Sequence, residues 1–428
     1  MIDFLKKLFY IKRVKYLIKD GFLHILVGNS LAKMIAFISS IVIVRLVTKE
    51  EYGYLAYADN LYSYITLFSG LGLSTGILKY CSPDISKEKN RAFLKIALKY
   101  GTIFQFIASL FLVIGVFMIG SAFPQAKPLI LLLFLYPVLT QILSTFQNYA
   151  RSQLKNKLFA KIGLIQVGIV FLASIILTLV YGIFGVIYAR YIGIIIVIMI
   201  GFYFAKHDLS GSEKIIIDSM EKKAFWKLSI SLMLANLFSM IMPINEMYII
   251  NHLIKDASMT ASYKVAILIP SQITFITNSI IIYIFPKIAQ KSGNKKEAFR
   301  YSCKTGFSVF IMIIIICIVG FIISSKIVGL IYGNDYQDEY TILMSKIYWL
   351  VYGVNAGFRM VPMNILPALG ITLFNSIASI MSCIAHIFLL IIFINIFGIL
   401  GASIALLIVY IISGIGYWIY LYYFCCKK

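Results

Sequence analysis

The segment LKYCSPDISKEKNRAFLKIALKY, residues 78–100, decides the fold. It carries Lys79, Lys87, Lys89, Arg91, Lys95 and Lys99 and stands between long apolar runs. Lys and Arg are retained on the cytoplasmic side of a membrane, so a short basic segment between apolar runs marks an inside loop. The pattern recurs at 6–19, 151–161, 206–227, 287–304 and 427–428. With 79–99, these clusters hold 29 of the 39 Lys and Arg. Up to residue 304, successive clusters are separated by enough apolar sequence for two crossings. The chain reads as a multi-pass protein of a bacterial inner membrane, with both termini in the cytoplasm.

Composition agrees. Hydrophobic residues make up 61% and charged residues 13%, about half the charged share of a soluble domain. The net charge of +22 suits basic loops against anionic lipid headgroups. It does not indicate nucleic acid, because no basic stretch is interleaved with stacking aromatics on a soluble module. Cys81, Cys303, Cys317, Cys383, Cys425 and Cys426 have neither metal-ligand spacing nor a disulfide pattern. No metal and no cofactor is expected.

Twelve segments have about the 20 mostly apolar residues that a spanning helix needs. They lie near 23–47, 53–78, 97–120, 129–150, 160–181, 184–205, 228–253, 260–285, 304–330, 340–366, 371–396 and 399–424. The fold class is therefore an all-α polytopic membrane protein with twelve transmembrane helices. Residues 1–22 form an interfacial amphipathic helix on this reading. They lack the uninterrupted apolar core and small-residue cleavage site of a signal peptide. A six-helix bundle over 23–205, a cytoplasmic linker over 206–227, a second six-helix bundle over 228–424 and a tail over 425–428 complete the plan. Inside and outside loops are short, which leaves no room for a soluble catalytic domain.

The chain repeats itself. Gly182-Ile183-Phe184-Gly185 with Ala189 precedes span six, and Gly398-Ile399-Leu400-Gly401 with Ala405 precedes span twelve. Both read G-I-x-G-x-x-x-A. Lys79 and Lys287 each follow a long apolar helix, with Ala92-Phe93 and Ala298-Phe299 further on. Halves of six spans each are parallel repeats, a transporter plan with the substrate path between them.

Arg45-Leu46, Glu51-Tyr52-Gly53, Gly70-Leu71-Gly72 and Lys79-Tyr80 resemble the first two helices of polysaccharide transporters. That family belongs to the multidrug/oligosaccharidyl-lipid/polysaccharide exporter (MOP) superfamily and includes Wzx-type O-antigen flippases. Glu246, Ala261-Ser262-Tyr263 with Ala266, and Phe285-Pro286 resemble the family's helices seven and eight, with Ala261 where Gly is usual. The resemblance implies a MATE-like fold and transport of undecaprenyl-pyrophosphate-linked oligosaccharide from the cytoplasmic to the outer leaflet. It also implies ion-coupled antiport with H+ or Na+, and work beside a polysaccharide polymerase and a chain-length regulator.

Ionisable groups within spans carry the site prediction, since a charge at a helix centre costs roughly 2.5–3.5 kcal/mol on insertion scales. Lys33, Arg45, Arg190, Lys264, Lys346 and Arg359 are basic; Asp59 and Glu246 are acidic. This excess suits an anionic substrate such as a diphosphate-linked sugar, which Arg grips with a bidentate fork. Arg190 and Arg359 are the first candidates for substrate binding, followed by Lys33, Arg45 and Lys264. Glu246 and Asp59 are the candidates for ion coupling. Arg45, Lys264 and Lys346 stand near outer helix ends, where snorkelling to headgroups is equally open. Arg190 is also open to a structural pairing with Asp59 or Glu246.

Three further readings complete the set. His386 reads as a hydrogen-bonded interior histidine rather than a proton relay. Tyr57 and Tyr64, one heptad apart, are candidates for stacking on sugar rings. Pro137, Pro243, Pro270, Pro362 and Pro367 lie in or at the ends of spans and either flex during gating or fix static kinks.

Other functional classes fit less well. A drug or cation exporter of the same superfamily calls for an acidic cavity. A membrane-embedded polymerase or glycosyltransferase calls for a large extracytoplasmic loop with catalytic groups. The peptidoglycan-precursor flippase calls for fourteen spans. No enzyme activity is expected.

Overall fold

The computed structural model describes residues 22–209, 217–290, 294–371 and 373–427. The expected interfacial helix over 1–22 lies almost wholly outside them, as do Lys214 of the linker and Lys291 of the fifth basic cluster. The described elements are all helical. They are α1 (Phe22–Leu46), α2 (Lys49–Leu67), α3 (Leu73–Tyr80), α4 (Lys87–Met118), α5 (Lys127–Leu132), α6 (Tyr136–Ser152), α7 (Asn156–Tyr181) and α8 (Ile183–Leu209). Then follow α9 (Ser219–Ile254), α10 (Ala257–Ser271), α11 (Ile273–Gln290), α12 (Lys295–Tyr332), α13 (Glu339–Gly353), α14 (Met360–Ala368), α15 (Leu373–Phe397) and α16 (Leu400–Tyr422). A helix or a run of helices occupies each of the twelve expected positions. Nine of these, among the described residues, are long and apolar enough to cross a membrane.

The burial pattern identifies the solvent. On α15 the buried stripe is Ser382, His386, Leu390 and Ile394, one residue every turn. Ile377, Met381, Ile384, Phe388, Ile391 and Ile396 are exposed. On α7 Ser174 and Thr178 are buried while Leu172, Ile176 and Leu179 are exposed. Small and polar side chains inside with large aliphatic ones outside is the arrangement for hydrocarbon, where helices associate through close packing. The protein is a multi-pass membrane protein.

The basic clusters are more helical than the loop reading implies. Lys87–Lys99 forms the first turns of α4, and Lys295–Lys304 those of α12. With 38 residues, α12 is about 57 Å long at 1.5 Å per residue, well beyond a hydrocarbon core of about 30 Å. Its start therefore extends past the apolar layer. Ser86 caps α4 by accepting from the Lys89 amide, and Asn294 caps α12 by accepting from the Glu297 amide. Each cap satisfies an amide that the helix itself leaves unpaired.

Four spans are broken, the least of them at the single residue Gln272 between α10 and α11. Between α2 and α3, Ser69, Gly70, Leu71 and Gly72 all have positive φ. Between α5 and α6 the helix is interrupted at Leu133–Leu135. Between α13 and α14 the segment Val354–Arg359 is a π-turn, with the Met360 amide donating to the Asn355 carbonyl five residues back. Lipid offers no hydrogen bonds, so each break must be satisfied from within the protein. At the first, the Gln105 side chain accepts from the Gly70 amide at 3.0 Å and donates to the Ile65 carbonyl at 2.9 Å. At the second, the Tyr62 and Tyr191 hydroxyls donate to the Ile130 and Leu132 carbonyls, each at 2.6 Å. At the last, Thr277 and the Trp418 indole donate to the Ala356 and Phe358 carbonyls at 3.1 and 3.0 Å.

The repeated glycines share a geometry. Gly182 and Gly398 both have φ +59°, closed to L side chains. Three residues on, a methyl at Gly185 would overlap the Leu177 carbonyl, and one at Gly401 the Phe393 carbonyl. The motif is thus a tight helix–helix corner used twice.

By contacts the chain forms two compact units. One contains residues up to Thr48 together with Leu61–Leu237; the other contains Lys49–Asn60 and Phe238–Lys428. Helices α2 and α9 are each divided between them. In the first unit, Phe225 of α9 packs against Tyr80 and Phe93 with ring centroids 5.3 and 5.0 Å apart, and Lys89 pairs with Glu221 at 2.7 Å. In the second, the core includes Ile313, Cys317, Trp349, Val361 and Tyr417.

Candidate functional site

The second unit gathers two of the predicted site residues around one aromatic core. Glu246, on α9, is 2% exposed. The Tyr348 hydroxyl of α13 donates to its Oε1 at 2.9 Å. Its Oε2 lies 3.8 Å from Nε2 of His386 on α15. Tyr263 of α10 packs edge-on against Tyr348, with centroids 5.8 Å apart, and Tyr410 of α16 joins the same core.

Arg359 ends the π-turn. Its Nε donates to Ser413 Oγ at 2.9 Å and its Nη1 to Asn355 Oδ1 at 3.1 Å. The guanidinium carbon lies 4.9 Å from the Tyr410 ring centre and 5.9 Å from that of Tyr417. Aromatic faces stabilise a cation while leaving donors available. The π-turn's longer loop sets this side chain, since it rotates the following residues relative to a regular helix. Ser413 and Tyr417 also line a groove of about 290 Å³ between α15 and α16, with Phe374, Ala378, Ser382 and Val409.

The other predicted residues are distributed differently. Lys33 and Arg45 on α1 and Lys264 on α10 are exposed. Asp59 on α2 and Arg190 on α8 are half-buried. Lys346 is half-buried, with its ammonium 5.9 Å from the Phe321 ring centre. Glu246 is met by two tyrosines, Tyr348 and Tyr263, and faces His386.

Two expectations need correction. His386 is fully buried, yet among the described residues neither ring nitrogen has a hydrogen-bond partner; helix periodicity places it inside but says nothing of its neighbours. Tyr57 is 1% exposed, with its ring 6.1 Å from that of His252. It is a packing residue here, since Gly53 and Ala56 on the same helix draw α2 close to its neighbours.

A second cluster lies within the second unit, between residues 49–60 and the rest of it. Lys49 Nζ pairs with Asp338 at 2.7 Å, bonds the Asp335 carbonyl at 3.1 Å and lies 5.2 Å from the Tyr336 ring centre. Asp338 also caps α13, accepting from the Thr341 amide at 2.9 Å and hydroxyl at 2.6 Å. Partial burial opposes its ionisation, but the bonds from Lys49 and Thr341 prevail and hold the carboxyl below its ordinary range. Gly53 sits against the Ala257 carbonyl so closely that a methyl would overlap it. Asn60 donates to the Ile244 carbonyl at 2.9 Å. The sequence gives no hint of this cluster, because its partners are 184 to 289 residues apart. Among the described residues no group of three His, Cys, Asp or Glu side chains could hold a metal ion.

Solved structures place the architecture. An inward-facing multidrug-resistance MATE family transporter of the MOP superfamily superposes with a TM-score of 0.71 at 13% identity, covering 94% of this chain and 98% of that one. The lipid II flippase MurJ, in an inward closed conformation, gives 0.72 at 18%, covering 94% and 87%. A MOP superfamily transporter from Pyrococcus furiosus gives 0.59 at 12%, covering 95% of each chain. At these identities the likeness concerns the fold, which is that of MOP transporters. Among curated proteins no significant match was found. The profile of the polysaccharide biosynthesis protein family, however, matches residues 42–340, more than half of the chain, and the protein belongs to that family.

Proposed function

We propose that the protein is a flippase carrying undecaprenyl-pyrophosphate-linked oligosaccharide from the cytoplasmic to the outer leaflet of the inner membrane. The observation that carries this reading is Arg359. A guanidinium inside a membrane protein of the polysaccharide biosynthesis family rests on two tyrosine faces beside an apolar groove. That combination suits a diphosphate attached to an isoprenoid chain. Arg190 is the second phosphate or acidic-sugar contact, with Lys33, Arg45 and Lys264 extending the positive field. Transport proceeds by alternating access of two six-helix halves, 23–205 and 228–424, around the linker 206–227, with both termini cytoplasmic. It is ion-coupled, with Glu246 and Asp59 as the ion-binding acids.

In this mechanism the contacts of residues 49–60 with residues 244–257 and 335–338 act as an outer latch. They are short, partly charged and reversible, as a contact made and broken in each cycle must be. The reading is tested in a flippase-null strain by surface glycan at matched protein levels. Wild type should restore glycan, and Arg190→Gln and Arg359→Gln should lose most of it. Normal export by both neutral variants would sink the cationic-site assignment.

A further inference from the structure

The first unit carries an apolar groove between α4 and α8 whose two walls both end in a lysine. We propose that this groove holds one anionic phospholipid, with its phosphate on Lys95 and Lys206 and one acyl chain lying between the two helices. The site is separate from Arg359 and Glu246 and does not depend on which substrate is carried.

The groove measures about 620 Å³, within the roughly 300–1,000 Å³ of small-molecule sites. Met199, Phe202, Tyr203 and Lys206 form its α8 wall. Their spacing of three and four residues puts them on one face of that helix. Leu98 and Thr102 form the α4 wall, and Lys95 stands on the same face, one turn before Leu98. On the topology read from the basic clusters, α4 leaves the cytoplasm and α8 returns to it. Lys95 and Lys206 therefore come to the same end. Both are exposed, and they belong to the clusters at 79–99 and 206–227. Two other lysines of this end are turned onto aromatic rings: Lys99 lies 5.7 Å from the Tyr100 ring centre and Lys155 4.3 Å from that of Phe204.

The floor of the groove is closed. It consists of Ile142 and Phe146 of α6. Gly201 of α8 lies so close to Phe146 that a methyl there would be 2.9 Å from its Cβ. Behind Phe146 is the buried core of Leu73, Phe93, Ala205 and Phe225. A chain in the groove rests against the protein without a route inward, as a bound lipid does and a transported one does not. The height of the walls points the same way. Lys95 to Thr102 and Met199 to Lys206 are each about 10 Å long at 1.5 Å per residue. One leaflet of hydrocarbon is about 15 Å thick, half of a core of about 30 Å. The walls thus cover most of one leaflet measured from the lysines, which fits a phospholipid chain; an undecaprenyl chain is several times longer. Apolar contact alone selects no lipid, because lipid tails offer one another the same contact. Selection rests on the lysines. Each Lys beside an anionic headgroup contributes a factor of about five, so the pair gives about thirtyfold preference for an anionic over a zwitterionic lipid.

The test uses purified full-length protein in detergent micelles, with phosphatidylglycerol and phosphatidylcholine of identical chains as probes. Native mass spectrometry should show one retained phosphatidylglycerol, preferred about thirtyfold over phosphatidylcholine. The preference should fall to about fivefold in Lys206→Gln and vanish in Lys95→Gln/Lys206→Gln. Thr102→Trp, which fills the groove from an α4 wall position, should lose the lipid whatever its headgroup. In the wild type, phosphatidylglycerol with a photoreactive group on its acyl chain should label the α4 and α8 walls, and excess unlabelled phosphatidylglycerol should suppress that label. Equal retention of the two lipids overturns the proposal. So does a preference that survives in the double lysine variant, or label spread evenly over the apolar surface. Displacement of the lipid by substoichiometric undecaprenyl phosphate also overturns it, and assigns the groove to the lipid carrier instead. The wild-type labelling needs no substitution, so misfolding of a variant leaves the question decidable. Failure of the flippase reading appears instead as unrestored surface glycan with lipid retention intact.

Discussion

Breaking the Lys49–Asp338 pair should open the outer latch by an amount set by two separable contacts. Asp338→Asn removes the charge pair but keeps a good helix cap. The pair is partly exposed, with side chains 19% and 35% accessible, so its loss costs about 0.5 kcal/mol. Asp338→Ala removes the cap as well, adding about 1 kcal/mol. The opening equilibrium then rises about twofold for Asn and about tenfold for Ala, taking tenfold per 1.4 kcal/mol. The reporter is Ala56→Cys in a cysteine-free background, because Ala56 is 4% exposed and packed in the second unit. Its rate of modification by a thiol reagent measures transient opening. Lys49→Gln should open the latch at least as far as Asp338→Asn, because Lys49 also bonds the Asp335 carbonyl and faces the Tyr336 ring, and the double variant Lys49→Gln/Asp338→Asn should be no faster than Lys49→Gln alone. Equal rates for Asn and Ala, or additive rates in the double variant, would refute the assignment of latch and cap to one carboxylate.

The remaining expectations are more local. Modification of the same reporter, divided at each pH by that of a fully exposed cysteine to remove the thiolate's own pH dependence, should be flat from about pH 8 to 5 and accelerate only below the ordinary aspartate range, near 3.9. The sign follows from the lowered Asp338 pKa: its stabilisation is complete above the unfolded value and lost as pH falls through the folded one. In Asp338→Asn that acid limb should vanish. Measured by size exclusion after heating, Gly401→Ala should lower stability by roughly 1–3 kcal/mol through overlap with the Phe393 carbonyl, whereas Gly168→Ala, with open space around it, should be neutral or stabilising. Arg359→Lys should keep part of the surface glycan that Arg359→Gln loses, because one ammonium retains the charge without reaching both Ser413 and Asn355. In intact cells, cysteines at Lys87, Lys157 and Asn294 should be shielded from impermeant reagents and one at Asn334 labelled; the reverse pattern inverts the topology.

The helical plan was legible because membrane and water impose opposite demands on the same chain. Apolar runs and basic clusters record those demands directly, so a helix or helix run stands at each expected position. The repeated Gly182 and Gly398 motifs were legible for a different reason: a backbone at φ +59° admits little but glycine. Boundaries near the basic clusters were less legible, since Lys87–Lys99 and Lys295–Lys304 continue their helices beyond the apolar layer. The helix breaks were unevenly legible: Gly70 and Gly72 mark the first, whereas others stand among ordinary apolar residues such as Leu133 and Phe358. A further trace lies elsewhere, in polar residues that an apolar helix does not otherwise need. Gln105 is such a trace; it sits in Phe104-Gln105-Phe106 and is 1% exposed.

The same logic explains why the candidate site was only half legible. A charge in an apolar span announces a cost, and so Glu246 and Arg359 could be named from sequence. What offsets that cost is distributed over other helices and leaves no local mark. Glu246 depends on Tyr348, 102 residues away, and Arg359 on Ser413, 54 residues away. Tyrosine is too common here, at 29 residues, for any one to stand out, and serine is at home in a membrane helix. His386 is the instructive case. Its position on the buried stripe of α15 follows from periodicity. Its lack of partners follows only from the fold, which places it near one carboxylate oxygen without completing the bond. A satisfied histidine would have been structure. An unsatisfied one, 3.8 Å from an acid that two tyrosines already bond, is a buried polar group whose lack of partners no periodicity could have announced.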